Sequence, residues 1–230
     1  MLVAVAVVPQ TPLLVPEIAA GAAGELEGLR AAALDAVRSV AERAARVVVV
    51  APGPEEVSYA EVAADFGPFG YEGAAALDAG SAGARPSSTS SVRPGSALPL
   101  GAWLLEAAGV TRPRTFRETT GAVIDIDREP TALLVLADGT AKRSPSAPGH
   151  VDVRALAFDA VISTALAAAD LDALGSLDAG RAAELWASGV PALRALAETA
   201  RADGGGGWQA RLRYDAAPYG VGYWVATWSR

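Results

Sequence analysis

The side chains that most often carry chemistry are scarce in this sequence. Its 230 residues include one histidine, His150, and no cysteine, which excludes thiolate nucleophiles, thiolate metal sites and disulfides together. A serine hydrolase would have to pair His150 with a serine, and no Gly-x-Ser-x-Gly elbow presents one. Gly21, Gly24 and Gly28 do not form a Gly-x-Gly-x-x-Gly fingerprint, and no glycine loop continues into Gly-Lys-Ser or Gly-Lys-Thr, so phosphate cradles have no support. Oxygen-bearing side chains remain. Asp138-Gly139 is first a tight-turn dipeptide with positive φ at the glycine, with Thr140 capping it and ligand binding as the lesser reading. Asp125 and Asp127 alternate on an expected strand and share a face; that face is solvated in the plainer reading and suits Mg2+ in the other. Gln10-Thr11 lies between Pro9 and Pro12. It either satisfies loop backbone groups or grips a ligand in a cleft.

The elements that must position these residues follow from hydrophobic periodicity. Leu2–Val8 is a Val-rich run read as a buried first strand, ended by Pro9. A helix is expected from about Ala20 to Ala44, because Leu26, Leu29, Ala33, Val37 and Val40 recur at three- and four-residue steps. Val47–Val50 then reads as a strand buried on both faces, completing a strand-helix-strand unit that favours parallel pairing. From Gly67 to Pro99 the chain is rich in Gly, Ser, Pro and Ala, a stretch long enough to be either a functional lid or disordered. Further on are a short helix around Trp103-Leu104-Leu105, a third buried strand at Ala132–Leu136, and a long helix marked by Val153, Leu156, Val161, Ile162 and Leu166. Helices near Ala182–Ser188 and Ala192–Arg201 follow, then a turn at Gly204–Gly207 and two closing strands, Trp208–Tyr214 and Val221–Trp228. All five tryptophans are assigned to the core.

Composition bounds the partners. Nineteen Lys and Arg against 26 Asp and Glu give a formal net charge of −7, a field that repels nucleic acid and anionic membrane surfaces. No run reaches the roughly 18 apolar residues of a spanning helix, and the apolar start lacks the basic residues of a signal peptide. A cytoplasmic protein with one domain, residues 1–230, is expected. The predominance of arginine, with Lys142 the single lysine, points to a GC-rich bacterial genome.

Several motifs, taken in order, resemble one family. Val7-Val8-Pro9-Gln10-Thr11-Pro12-Leu13-Leu14 is similar to the N-terminal motif of LigB-type (class III) extradiol ring-cleavage dioxygenases, in which a strand ends in Pro-His-Pro-Pro followed by leucines. Val47–Pro52 resembles the strand ending in Ser-Pro-His, and Leu134–Ala141 the strand and turn ending in Gly-Asp-Gly-Ser-His. Ala147–His150, Phe158-Asp159 and Ala217–Tyr223 continue the likeness into the last strand. The resemblance implies an α/β fold, a three-layer αβα sandwich around a mostly parallel or mixed sheet. It also implies a non-haem Fe(II) on two imidazoles and a carboxylate, together with a catalytic His.

This chain departs from that pattern at each of those positions. Gln10 stands at the first His, Gly53 at the second and Ala141 at the catalytic one, and one histidine cannot supply two imidazoles. Asp215 lies in the region of the family's carboxylate without restoring the set. The expectation is a retained scaffold with no catalytic residue, metal or cofactor, acting as a small-molecule-binding or regulatory module. Its candidate cleft residues are Gln10, Thr11, Glu17, Gly53, Asp138, Thr140, Ala141 and His150, with a structural or solvent-facing role weighed first for His150. Two alternatives stay open. One is an enzyme working on a small substrate, aromatic ones included, without metal, through Asp138, Glu17 or His150; the other is an inactive subunit, in a homo-oligomer or beside a metal-bearing homologue.

Overall fold

The computed structural model describes residues 1–71 and 92–230. Its centre is a seven-stranded sheet: β1 (Leu2–Val8), β2 (Arg46–Pro52), β3 (Val57–Tyr59), β4 (Arg114–Thr119), β5 (Thr131–Leu136), β6 (Gln209–Ala216) and β7 (Tyr223–Ser229). The spatial order is β3-β4-β2-β5-β1-β7-β6. The four strands β4, β2, β5 and β1 are parallel, with antiparallel β3 at one edge and the antiparallel pair β7 and β6 at the other. β1 and β2 are therefore parallel as expected but not neighbours, because β5 inserts between them and pairs with both.

Side-chain alternation divides the interior into two cores. Ala4, Ala6, Val8, Val49 and Leu134 meet Leu29, Ala33 and Val37 of α2 (Glu27–Ala41) on one face, where α3 (Leu98–Ala107) also packs. Val5, Val7, Val48 and Leu133 point the other way. There they meet α4 (Arg154–Ala168), the short α5 (Leu171–Gly175) and α6 (Ala179–Glu184), and α7 (Val190–Ala202). The result is an α/β fold with helices on both faces of a mixed sheet, the architecture expected. Among the described residues no helix is long and apolar enough to cross a membrane.

The approach of α3 to the sheet is set by a missing side chain. A Cβ on Gly101 would collide with Cγ1 of Val49 and come within 3.3 Å of Cδ1 of Leu136. Gly101→Ala should accordingly destabilise the protein by about 1–3 kcal/mol through overpacking, read as a lower urea midpoint. An unchanged or higher midpoint would mean that α3 is free to retreat.

Several expectations are corrected. α2 begins at Glu27, not near Ala20; before it the chain forms only the four-residue helix α1 (Pro16–Ala19) and a 3-10 turn at Ala20–Ala22, in a stretch that holds Gly21 and Gly24. β4 was not anticipated, since Arg114, Thr115, Arg117 and Glu118 hide a strand whose central Phe116 is fully buried. Asp125 and Asp127 are exposed but not on a strand, because the Ile124 N–H goes to Oγ1 of Thr199 at 2.8 Å instead of to a sheet neighbour. Asp127 pairs with Arg46. Along α4, Ile162 and Leu166 face the core, whereas Leu156, Val161 and Val153, the residue just before the helix, are exposed. Trp186 is 52% exposed and not a core residue. Much of the Gly67–Pro99 stretch, and with it the choice between lid and disorder, lies outside the described residues; its last part, Leu98 and Pro99, already belongs to α3.

Candidate functional site

Parallel strands place their carboxyl ends together, and the loops leaving those ends commonly build the site in open α/β sheets. Here β1, β2 and β5 deliver Gln10, Gly53 and Asp138 to one cavity of about 820 Å3. Its outer wall comes from Phe66 and Phe69, from the Val92–Ala97 segment and from Leu100 of α3; Ser188 and Pro191, at the entry to α7, close the opposite side.

Asp138 has the chemistry to bind. One carboxyl oxygen accepts the Gln10 N–H at 2.8 Å, and the other has no hydrogen-bond partner among the described residues. Burial pushes its carboxyl up to about 7, only partly offset by the Gln10 N–H. Tyr223, buried beside it at the start of β7, is pushed up to about 12 by burial and then by the Asp138 charge. The Gln10 side chain reaches Ser188 Oγ at 2.5 Å through Nε2, and its Oε1 is buried without a partner. In either orientation of the amide one of these two atoms stays unsatisfied.

The loop that carries Asp138 is fixed from behind. Asp159 of α4, 2% exposed, accepts the Thr140 N–H and the Thr140 hydroxyl, each at 2.9 Å, and lies 3.7 Å from Nε of Arg143. Burial raises its carboxyl to about 6. The Gly139 N–H goes to Gly222 at 2.8 Å. Gly139 does not take the positive φ expected of a turn glycine. Its small size is needed instead, because a Cβ would strike the Trp224 ring and approach Asp159 within 2.8 Å.

The opposite wall rests on a second buried acid. Glu118, at the end of β4, has its carboxylate 3.2 Å from Nε of Arg93, which lines the cavity. A Cβ on Gly53 would lie 2.6 Å from Cβ of Glu118. No side chain, histidine included, fits at position 53 unless β4 shifts.

Of the residues singled out in the sequence, Gln10, Thr11, Gly53 and Asp138 line this cavity. Thr140 is fully buried behind it, on Asp159. Ala141 opens instead on a separate, neighbouring cavity. Glu17 and His150 are both exposed and line neither; the His150 backbone adopts φ 59° in the loop before α4. The sequence reading missed Ser188, Arg93, Glu118 and the structural role of Asp159. For Asp159 a signal existed: it lies with Ala155, Phe158 and Ile162 on the core-facing stripe of an apolar helix, where an acid must find partners.

No family model and no curated protein matches this chain.

The donors in the cavity do not fit an iron centre built on two imidazoles and a carboxylate. Gln10 offers an amide, Gly53 only backbone, and no imidazole lines the walls. Among the described residues no group of three His, Cys, Asp or Glu side chains is placed to hold a metal ion.

Proposed function

We propose that the chain is a small-molecule-binding module on a LigB-like, extradiol-dioxygenase-type frame that lacks the iron ligands and the catalytic His. Its ligand offers a hydrogen-bond donor to Asp138 and an apolar, aromatic body to Phe66, Phe69 and Leu100. The observation that carries this reading is the unpartnered Asp138 oxygen in a cavity whose walls are otherwise largely apolar or proline-rich. Further support comes from Gln10 and Gly53: both face the same cavity, at the positions where the resemblance puts iron ligands.

The test combines metal and ligand. Purified protein is treated anaerobically with Fe(II), bound metal is quantified, and catechol is added with oxygen while ring-opened yellow product is followed. The expected result is neither stoichiometric iron nor product, with catechol binding that calorimetry detects and Asp138→Ala weakens about tenfold, the loss of roughly one hydrogen bond. Tightly held iron with turnover would sink the proposal, as would binding that ignores Asp138.

One observation favours a second reading, a metal-independent enzyme. A carboxyl raised to about 7 in a cleft suits proton transfer at neutral pH. Glu17 and His150 lie outside the cavity, so Asp138 would act without them. Turnover of a phenolic ligand that disappears in Asp138→Asn would select this reading.

A further inference from the structure

The connection from Ser188 to Pro191 is a partition. On its far side lies a second cavity of about 570 Å3, sharing Ser188 and Pro191 with the cleft but no other lining residue. Its floor is made of small apolar side chains, Ala141 and the alanines 179, 182 and 183 of α6. Trp186 lines the same cavity. Its backbone takes φ 57°, an unusual conformation for a bulky residue, and its indole is turned outward, 52% exposed.

The charges around this cavity have one sign. Arg194 of α7 lines it, and no Asp or Glu does. Arg194 forms no ion pair among the described residues. Lys142 holds its ammonium 5.3 Å from the centre of the Trp186 ring. The nearby acids are committed elsewhere: Asp152 and Glu184 both bind Arg154, although Lys142 also feels the Asp152 charge. Glu56 receives the Thr120 hydroxyl, the Thr120 N–H and the Thr119 hydroxyl. A chain with a net charge of −7 thus keeps Arg194, with no ion pair among the described residues, and the Lys142 ammonium close to an exposed indole and a group of alanines.

We propose that this second cavity binds a planar aromatic carboxylate, its rings between Trp186 and the alanine floor and its carboxylate on Arg194, with Lys142 adding attraction at the mouth. A guanidinium matches a carboxylate in two-point geometry, and an indole face stacks on a second ring system. The cavity exceeds the size of one ring, so a fused bicycle suits it better than benzoate. The site is independent of the ligand in the Asp138 cleft.

The probe is 2-naphthoate, compared with neutral 2-naphthamide, followed through the indole N–H signals of the five tryptophans in two-dimensional NMR; Trp186→Phe assigns the relevant signal. Titration with 2-naphthoate should move the Trp186 signal in a saturable way, the amide should bind at least tenfold more weakly, and Arg194→Gln should remove that difference. An Ala183→Leu variant, which fills the floor, should block binding with Arg194 intact. The other four indole signals report whether each variant keeps its fold. Equal binding of amide and carboxylate overturns the proposal, as does an unaltered response in Arg194→Gln or Ala183→Leu. Shifts confined to residues around Gln10 and Asp138 would place the ligand in the first cleft and overturn it too.

Discussion

Asp159→Ala will lower stability by about 3–5 kcal/mol, the range for removing one partner of a buried charged cluster. Asp159 is 2% exposed and receives two hydrogen bonds from Thr140. Alanine leaves both donors buried without an acceptor and takes the nearest carboxylate from Arg143. For a chain of this length the melting temperature should drop by roughly 10 °C. Asp159→Asn separates charge from hydrogen bonding, since its amide oxygen can accept the Thr140 N–H while its NH2 donates to the hydroxyl. That variant should lose about 1 kcal/mol, within the range of one neutral hydrogen bond. Equal losses for Ala and Asn in denaturant unfolding would show that the hydrogen-bond inventory is not what holds the loop. The loss also reaches the cleft, because the loop tethered at Thr140 begins at Asp138.

Asp138→Asn will stabilise the protein at pH 8 and flatten its pH dependence. The folded-state value of about 7 lies above the ordinary Asp value of 3.8, so between these values the folded chain binds more protons than the unfolded one. Stability then falls as pH rises from about 4 to about 7 and is level above that. Asp159, raised to about 6, adds a slope of the same sign between about 4 and 6. Discounted for the partial exposure of Asp138, the wild-type chain should lose about 1–3 kcal/mol from these groups between pH 5 and pH 8. In Asp138→Asn the amide oxygen still accepts the Gln10 N–H, and the slope between pH 6 and pH 8 should largely vanish. Urea midpoints measured across that interval decide it: a wild-type midpoint that rises from pH 6 to pH 8 has the wrong sign for a carboxyl held neutral by burial.

How much was legible in the sequence depended on whether a residue acts through its neighbours in the chain or across the sheet. β1, β2 and β5 were readable because Leu2–Val8, Val47–Val50 and Ala132–Leu136 are continuous apolar runs. β4 was not, since only long-range pairing with β2 makes a strand of Arg-Thr-Phe-Arg-Glu-Thr. Gln10, Thr11, Gly53 and Asp138 were identifiable because each follows such a run, and parallel order brings the ends together. Thr140 and Ala141 follow the same strand yet leave the cleft. The reason is Asp159, distant in sequence, which draws Thr140 inward. Ser188, Arg93 and Glu118 carry no local signature; partners remote in the chain bring them to the walls. Trp186 went wrong for a simpler reason: hydrophobicity favours burial, but the left-handed backbone at the end of α6 points its ring the other way.

One flank of the sheet offers an edge that an added strand would have to join. Among the described residues β6 has no strand on its outer edge, yet its side chains alternate between half-covered Ala210, Leu212 and Tyr214 and exposed Gln209, Arg211, Arg213 and Asp215. Its register against β7 also slips between Leu212 and Tyr214. An incoming ribbon would have to follow that irregularity while stripping water from a row of ionic groups, two features that discourage runaway fibril growth from an open border.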